Sequence, residues 1–451
     1  MKRTVSFLVF CCFILELAAS ARTEPATTNT AARAAAQTIL PPTKIRAAEY
    51  SLPPDKLAKA TALYHIRTAT YLFDMIFGIV VLWALLKLRI APFFRDLAEH
   101  LARSGFAQTI IFVPLLTLLI ATLALPVDIY RHHISLAYGL SVQAWGSWAA
   151  DWGKAQAVSL VVSIPAVLAL FWIIRRSPHR WWFQFWLLTL PFMVLLVFVA
   201  PIILDPMFDT FQPLEKTQPQ LVSAIEEVVH RAGLAIPPDR MFEMEASAKV
   251  TTYNAYVTGI GATKRVVVWD NTIRELTTPE ILFTFGHEMG HYVLNHIYKG
   301  LLFLAAMMLL GFWLASKMAL GMIARWGDAW HIRGIDDLAA LPVLMLVLAM
   351  LNVPGEPIGN GFSRHIEHQA DIYGLEVTRG LFPNNGEVAA SAFQKLGEKS
   401  FDYPNPNPLL VFWSYSHPSI TERIHFALHY DPWDTSAGPK YVKQLANHNP
   451  E

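Results

Sequence analysis

The stretch Phe283-Thr284-Phe285-Gly286-His287-Glu288-Met289-Gly290-His291 sets two histidines four residues apart, with a glutamate directly after the first. On an α-helix such residues return to within about 40° of each other, so His287 and His291 share a face and can ligate one metal. Zinc is the ion this spacing favours. Glu288 is turned about 100° from His287, close to such a metal but poorly aimed to ligate it, which suits a base that takes a proton from an attacking water. A catalytic zinc site needs a third protein ligand and an open position. Where one type of site would continue with a Gly and a further His, this chain has Leu294 and Ile297. His296 falls about 140° around the helix from His291 and reads as interfacial. A later segment, Ser363-Arg364-His365-Ile366-Glu367-His368-Gln369-Ala370-Asp371, offers Glu367 as ligand and Asp371, one turn on, as acceptor for the free ring N–H of a ligand histidine. His365, His368 and Glu376 remain alternative ligands. In Trp413-Ser414-Tyr415-Ser416-His417-Pro418-Ser419-Ile420-Thr421-Glu422-Arg423, Ser419 and Glu422 have capping-box spacing, and His417 or Arg423 could stabilise the oxyanion of a tetrahedral intermediate.

Local signals suggest how these residues are carried. Thr278-Pro279-Glu280 reads as an N-cap, a Pro at the first helical position and a first-turn acid, which puts the two histidines on a helix. Ahead of it, Pro219 to Arg231 reads as an amphipathic helix ending at Gly233. Thr251 to Thr258 and Arg265 to Trp269 read as strands joined by a turn at Gly259-Ile260-Gly261. The strand around Asn254, Ala255 and Tyr256 could hold an extended peptide as an added strand.

The 451 residues are 54% hydrophobic and only 16% charged, against about a quarter charged in an ordinary soluble domain. Six apolar runs approach the length of roughly 20 residues that spans a bilayer, near 69–88, 106–126, 156–174, 183–204, 301–323 and 338–354. Before them, residues 1–21 have the form of a signal peptide or of a first anchor helix, and they contain both cysteines, Cys11 and Cys12. Residues 22–68 form a tether and lead-in, and 69–204 a four-span region. Polar blocks at 205–300 and 355–451 flank a two-span hairpin at 301–354. Two crossings separate the blocks, so they lie on one side and can form one catalytic domain; that return favours Glu367 as third ligand. Lys87, Arg89, Arg95, Arg103, Arg175, Arg176, Arg180, Lys317, Arg325 and Arg333 fall on the opposite face, so the positive-inside rule puts the blocks outside the cytoplasm. Net charge of +1, with no basic cluster interleaved with aromatics, gives no sign of nucleic-acid binding.

Taken together these segments resemble the integral-membrane type I CAAX prenyl endopeptidases. HEMGH matches that family's HExxH, SRHIEHQAD its SRxxExxAD, SHPSITERI its SHPxxxERx, and TYNAYVTG with KRVVVWDN its substrate-side strand pair. The likeness extends upstream through APIILDPMFDTFQPLE, GLSVQAWGSWAADWGK and LPPDKLAKATALYHIRTATYLFD, covering about 50 to 430. The resemblance implies that His287, His291 and Glu367 bind one zinc and that Glu288 is the catalytic base. It further implies that Asp371 supports a ligand histidine and that His417 and Arg423 sit near the substrate. It also implies a barrel of seven helices around a water-filled chamber, the N-terminal run being the seventh.

The expectation is therefore a mainly α polytopic membrane protein, with six spans plus the N-terminal signal or anchor and a zincin-like α+β catalytic domain. Its activity would be zinc-dependent endoproteolysis in a bacterial inner membrane, on peptide or protein substrates other or broader than prenylated CAAX ones, lipid-modified or not. The competing class is a catalytically idle binding or chaperone protein on the same scaffold, which has no chemical need for Glu288.

Overall fold

The computed structural model describes residues 50–259, 264–436 and 438–443. The expected signal or anchor run 1–21, its cysteines and most of the tether lie outside these residues. Three long helices come first: α1 (Pro54–Lys87), α2 (Gly105–Ala137) and α3 (Trp145–Arg176). Next, α4 (Trp181–Val199) passes through a π-turn at Ala200–Leu204 into the short helix Asp205–Phe208, with a 42° bend at the break. Pro201 lies inside that turn, where its missing N–H removes a helical hydrogen bond. After the first polar block come α5 (Pro219–Arg231), α6 (Thr278–Val293), α7 (His296–Trp330) and α8 (Leu341–Val377). The chain then forms α9 (Asn385–Ser400), α10 (Pro408–Ser414) and α11 (Ile420–His429).

Five of these helices are long and apolar enough to cross a membrane, and the bent α4 pair makes six if counted as one crossing. They coincide with the six apolar runs of the sequence. Large apolar side chains face outward on them, including Ile76, Val161, Trp172 and Leu302. Water would penalise such surfaces and a bilayer would not. The spanning helices are also longer than a bilayer requires. The 34 residues of α1 and the 37 of α8 reach roughly 50 Å at about 1.5 Å per residue, against a hydrocarbon core of about 30 Å. The overrun builds the domain outside the membrane: α8 starts in apolar sequence and continues through SRHIEHQAD to Val377 as one helix.

A four-stranded sheet completes that domain. Its strands, β1 (Phe211–Pro213), β2 (Met241–Met244), β3 (Ala255–Thr258) and β4 (Arg265–Trp269), run in the order β1-β2-β4-β3. The two short strands β1 and β2 carry no alternation strong enough to read in advance. The expected strand from Thr251 starts only at Ala255, because the residues before it bond elsewhere. Thr251 N–H donates to Leu140 C=O, and Asn254 N–H donates to Thr272 Oγ1. The turn after β3 enters at Gly259 with φ +85°; residues 260–263 lie outside the described residues. Leu221, Val222, Ile225, Val228 and Val229 of α5 form one core with Val266 and Val268 of β4 and with Ile281, Phe285 and Met289 of α6.

The N-cap of α6 is Thr277, one residue before the expected position. Its N–H donates to Glu280 Oε2 at 2.7 Å, and the same oxygen pairs with Lys395 of α9 at 2.7 Å. Helices α6 and α8 then meet on glycines. A Cβ on Gly290 would lie 2.9 Å from Tyr373 Cβ, and one on Gly374 would lie 2.9 Å from the His287 backbone nitrogen. No larger residue fits at that approach, which brings the histidines of α6 against Glu367 and Asp371 of α8.

Candidate metal centre

His287, His291 and Glu367 each offer a ligand atom, and the three atoms lie within 4.8 Å of one another. The two Nε2 atoms are 3.1 Å apart. Glu367 reaches toward both rings, 3.3 Å from His287 Nε2 and 3.5 Å from His291 Nε2. Its Oε2 is buried without a satisfied hydrogen bond, although His417 Nε2 is also only 3.3 Å away. Two imidazoles and an unsatisfied carboxylate converging in this way are a donor set that could hold one metal ion. Burial opposes charge on His287, but the Asp371 and Glu367 carboxylates beside the ring outweigh it and push it up to about 10. Burial pushes His291 down to about 3, with the charge on His287 adding to the effect.

The far side of the His287 ring is also fixed. Nδ1 is 2.8 Å from Asp371 Oδ1, which leaves Nε2 for the centre. Arg423 grips Asp371 with Nε at 3.0 Å and Nη2 at 2.6 Å. The guanidinium thus lies on the Nδ1 side of His287, whereas Glu367 faces Nε2. The capping box between Ser419 and Glu422 that starts α11 is present and orients this arginine one turn later. Glu376, an alternative ligand in sequence, is used elsewhere: it accepts from the backbone N–H groups of Lys440, Tyr441 and Val442 and from Tyr430 Oη. Of the other two alternatives, His368 packs on Phe426 and His365 pairs with Gln369.

Glu288 is partly exposed. Burial of its carboxyl raises it to about 7, an effect that the charge on His287 and a hydrogen bond from Val257 N–H partly offset. Val257 belongs to β3, the edge of the sheet. Trp269 N–H donates to Asn254 C=O, and with the register Tyr256↔Val267 antiparallel alternation turns the backbone groups of Ala255 and Val257 outward. Those of Asn254 and Tyr256 face β4 and Thr272. Of the three residues singled out on this strand, Ala255 therefore has the outward edge, joined by Val257.

Three contributors were not legible in advance. Val257 depends on strand register. Extending one helix through His296 turns it about 140° from His291, but the chain breaks at Asn295, whose φ is +59°, and α7 starts anew with His296 against His291. Arg364 donates to the C=O groups of Val411, Phe412 and Tyr415, fastening the segment that leads into His417.

Comparison with known proteins adds the lineage. A model of peptidase family M48 matches residues 215–431, which include every residue of this centre, and a model described as CAAX prenyl protease N-terminal, five membrane helices, matches residues 33–210. An uncharacterized metalloprotease, YhfN, of Bacillus subtilis (strain 168) is 36% identical over 83% of this chain and 86% of its own length. The chain belongs to peptidase family M48. CAAX prenyl protease 1 of Saccharomyces cerevisiae is a more distant relative in this family, 26% identical over 71% of this chain and 72% of that protein. The crystal structure of S. mikatae Ste24p shares the fold, with a TM-score of 0.73 at 23% identity over 84% of this chain and 90% of that one. The M48 protein described here is an integral-membrane metalloprotease.

Proposed function

We propose that His287, His291 and Glu367 hold one zinc ion and that Glu288 is the general base and acid of peptide-bond hydrolysis. The observation that carries this reading is the convergence of those three ligand atoms within 4.8 Å, with the Glu288 carboxyl between them and the outward N–H of Val257 on an edge strand. When bound there, zinc supplies a Lewis acid that lowers the pKa of water and polarises a carbonyl. Glu288, raised by burial toward neutrality, takes the proton of the attacking water and passes it to the leaving amine. An extended peptide adds to the outer edge of β3 at Ala255, beside the Val257 N–H that faces Glu288, which fixes its backbone and leaves side-chain choice loose. His417 is exposed, with Nε2 turned to the centre, and donates to the developing oxyanion. Arg423 acts through Asp371 and is a positioning residue.

The loose side-chain grip supports peptide substrates beyond prenylated ones. The basic segments support one side of the membrane for the centre. Arg95 bonds to Asp337, Arg333 to Glu99 and Arg175 to Asp336 C=O, so the segments after α1 and α7 and the end of α3 gather on one face. That face carries the excess of Lys and Arg, which supports placing it in the cytoplasm of a bacterial inner membrane and the metal centre outside. The test is cleavage of one short peptide with and without a C-terminal isoprenyl cysteine, using detergent-solubilised protein and Glu288→Ala as control. Cleavage of both forms, lost in Glu288→Ala, is the expected result. Cleavage of the prenylated form alone would overturn the broad specificity, and equal function of wild type and Glu288→Ala would favour the idle-scaffold class.

A further inference from the structure

The two ligand histidines are supported differently. His287 has a carboxylate behind it, whereas behind His291 stands another histidine. His296 is buried, and its Nδ1 lies 3.1 Å from His291 Nδ1. Its Nε2 is 3.0 Å from Gln369 Oε1, and Gln369 Nε2 is 2.9 Å from His365 Nε2 at the surface. From these contacts we infer that His296 is the positioning residue that fixes the tautomer of His291, through a one-way chain of hydrogen bonds set by Gln369. The inference rests on the reading that His291 is a metal ligand.

The direction of the chain follows from donor chemistry. An amide oxygen only accepts, so His296 Nε2 carries the proton of that contact. A neutral imidazole has one N–H, which leaves His296 Nδ1 as an acceptor. The proton between the two Nδ1 atoms therefore belongs to His291, and the lone pair of His291 is at Nε2, facing Glu367 and His287. At the other end, Gln369 donates from Nε2, so the chain also closes onto His365 as acceptor. The geometry depends on the break in the backbone. With Asn295 in the left-handed region, the first residue of α7 turns back onto the last turn of α6, bringing the two rings to 5.1 Å between centroids at 75°. An unbroken helix would have carried His296 away from His291. Glu367 and Gln369 are two residues apart on α8, so one helix supplies both a ligand and the group that orients another ligand.

Two substitutions separate orientation from bulk. In His296→Asn a side-chain oxygen can take the place of Nδ1 and accept from His291; His296→Phe fills the space and accepts nothing. Zinc affinity of the full-length, detergent-solubilised protein would be measured by competition with a chromogenic chelator, and the geometry of the centre by the visible absorption of the cobalt-substituted protein. The expected result is zinc binding weaker by about 10–100-fold in His296→Phe, the range seen when the partner of a ligand histidine is lost, with an altered cobalt spectrum. His296→Asn should recover most of that loss. Gln369→Glu, which still accepts from His296 Nε2 but no longer donates to His365, should bind zinc within a few-fold of wild type. Unchanged zinc affinity and cobalt spectrum in a folded His296→Phe, or equal losses in the Phe and Asn variants, would overturn the inference. His287→Ala in the same assay reports on the centre itself: if it too keeps its zinc, the metal site is elsewhere and the underlying reading fails.

Discussion

At the scale of single residues, the behaviour of the centre is set by the carboxylates around His287. His287 holds a proton well above neutrality because Asp371 and Glu367 flank it. A zinc ion must displace that proton, so apparent zinc affinity is expected to rise with pH, by close to tenfold per unit between about pH 6 and 8 for one proton exchanged. Calorimetry in buffers of different ionisation enthalpy would count the protons released; binding that is flat with pH would contradict the assignment. Asp371→Asn keeps an acceptor for His287 Nδ1 but removes the charge that faces Arg423. Its zinc affinity is expected to fall about 10–100-fold, read by the same chelator competition. Much of this was visible in the spacing of HEMGH and SRHIEHQAD, because ligand chemistry restricts residue type and helical period restricts position. His296 was not, because a single left-handed residue, Asn295, resets the helix phase and nothing in residue type announces it.

Among the elements, two contacts decide whether the site can form. The first is the glycine seam between α6 and α8. Gly374→Ala would drive a methyl group to 2.9 Å from the His287 backbone nitrogen; an unyielding backbone makes this overpacking cost about 1–3 kcal/mol. A lower Tm together with weaker zinc binding is expected, since the same displacement moves His287 from Glu367. An unchanged Tm would show that the helices are free to part. The second contact is the outer edge of β3. Val257 N–H faces Glu288 rather than β4, so Val257→Pro removes no rung of the sheet yet takes away an edge donor. kcat/KM for a peptide is expected to drop by up to about tenfold, on the order of the one hydrogen bond lost, with zinc retained. The sequence read α5, α6 and both strands of the β3/β4 pair from their periods. It did not read β1 and β2, which are three and four residues long and exist through pairing with distant segments.

Over the whole molecule, the sheet and the membrane helices are joined by buried charge. Lys249, beside the sheet, bonds to Asp151 of α3 at 2.9 Å and to Phe208 C=O at 2.6 Å, with Asp209 at 3.4 Å. Removing one partner of such a cluster leaves uncompensated buried charge at about 3–5 kcal/mol. Lys249→Met is accordingly expected to lower the Tm markedly and to loosen the catalytic domain in proteolysis, whereas a variant as stable as wild type would reduce the cluster to an accessory contact. The six apolar runs were legible because a bilayer imposes length and polarity on any helix that crosses it. Their extension into the catalytic domain was hidden, since nothing in the sequence marks where α8 leaves the membrane while remaining helical. The central claim, a zinc peptidase with Glu288 as base, is tested most directly by measuring bound zinc and peptide cleavage together in Glu288→Gln. The expected result is about one zinc per chain with cleavage reduced by roughly 10²–10⁴-fold; full zinc with wild-type cleavage would contradict it.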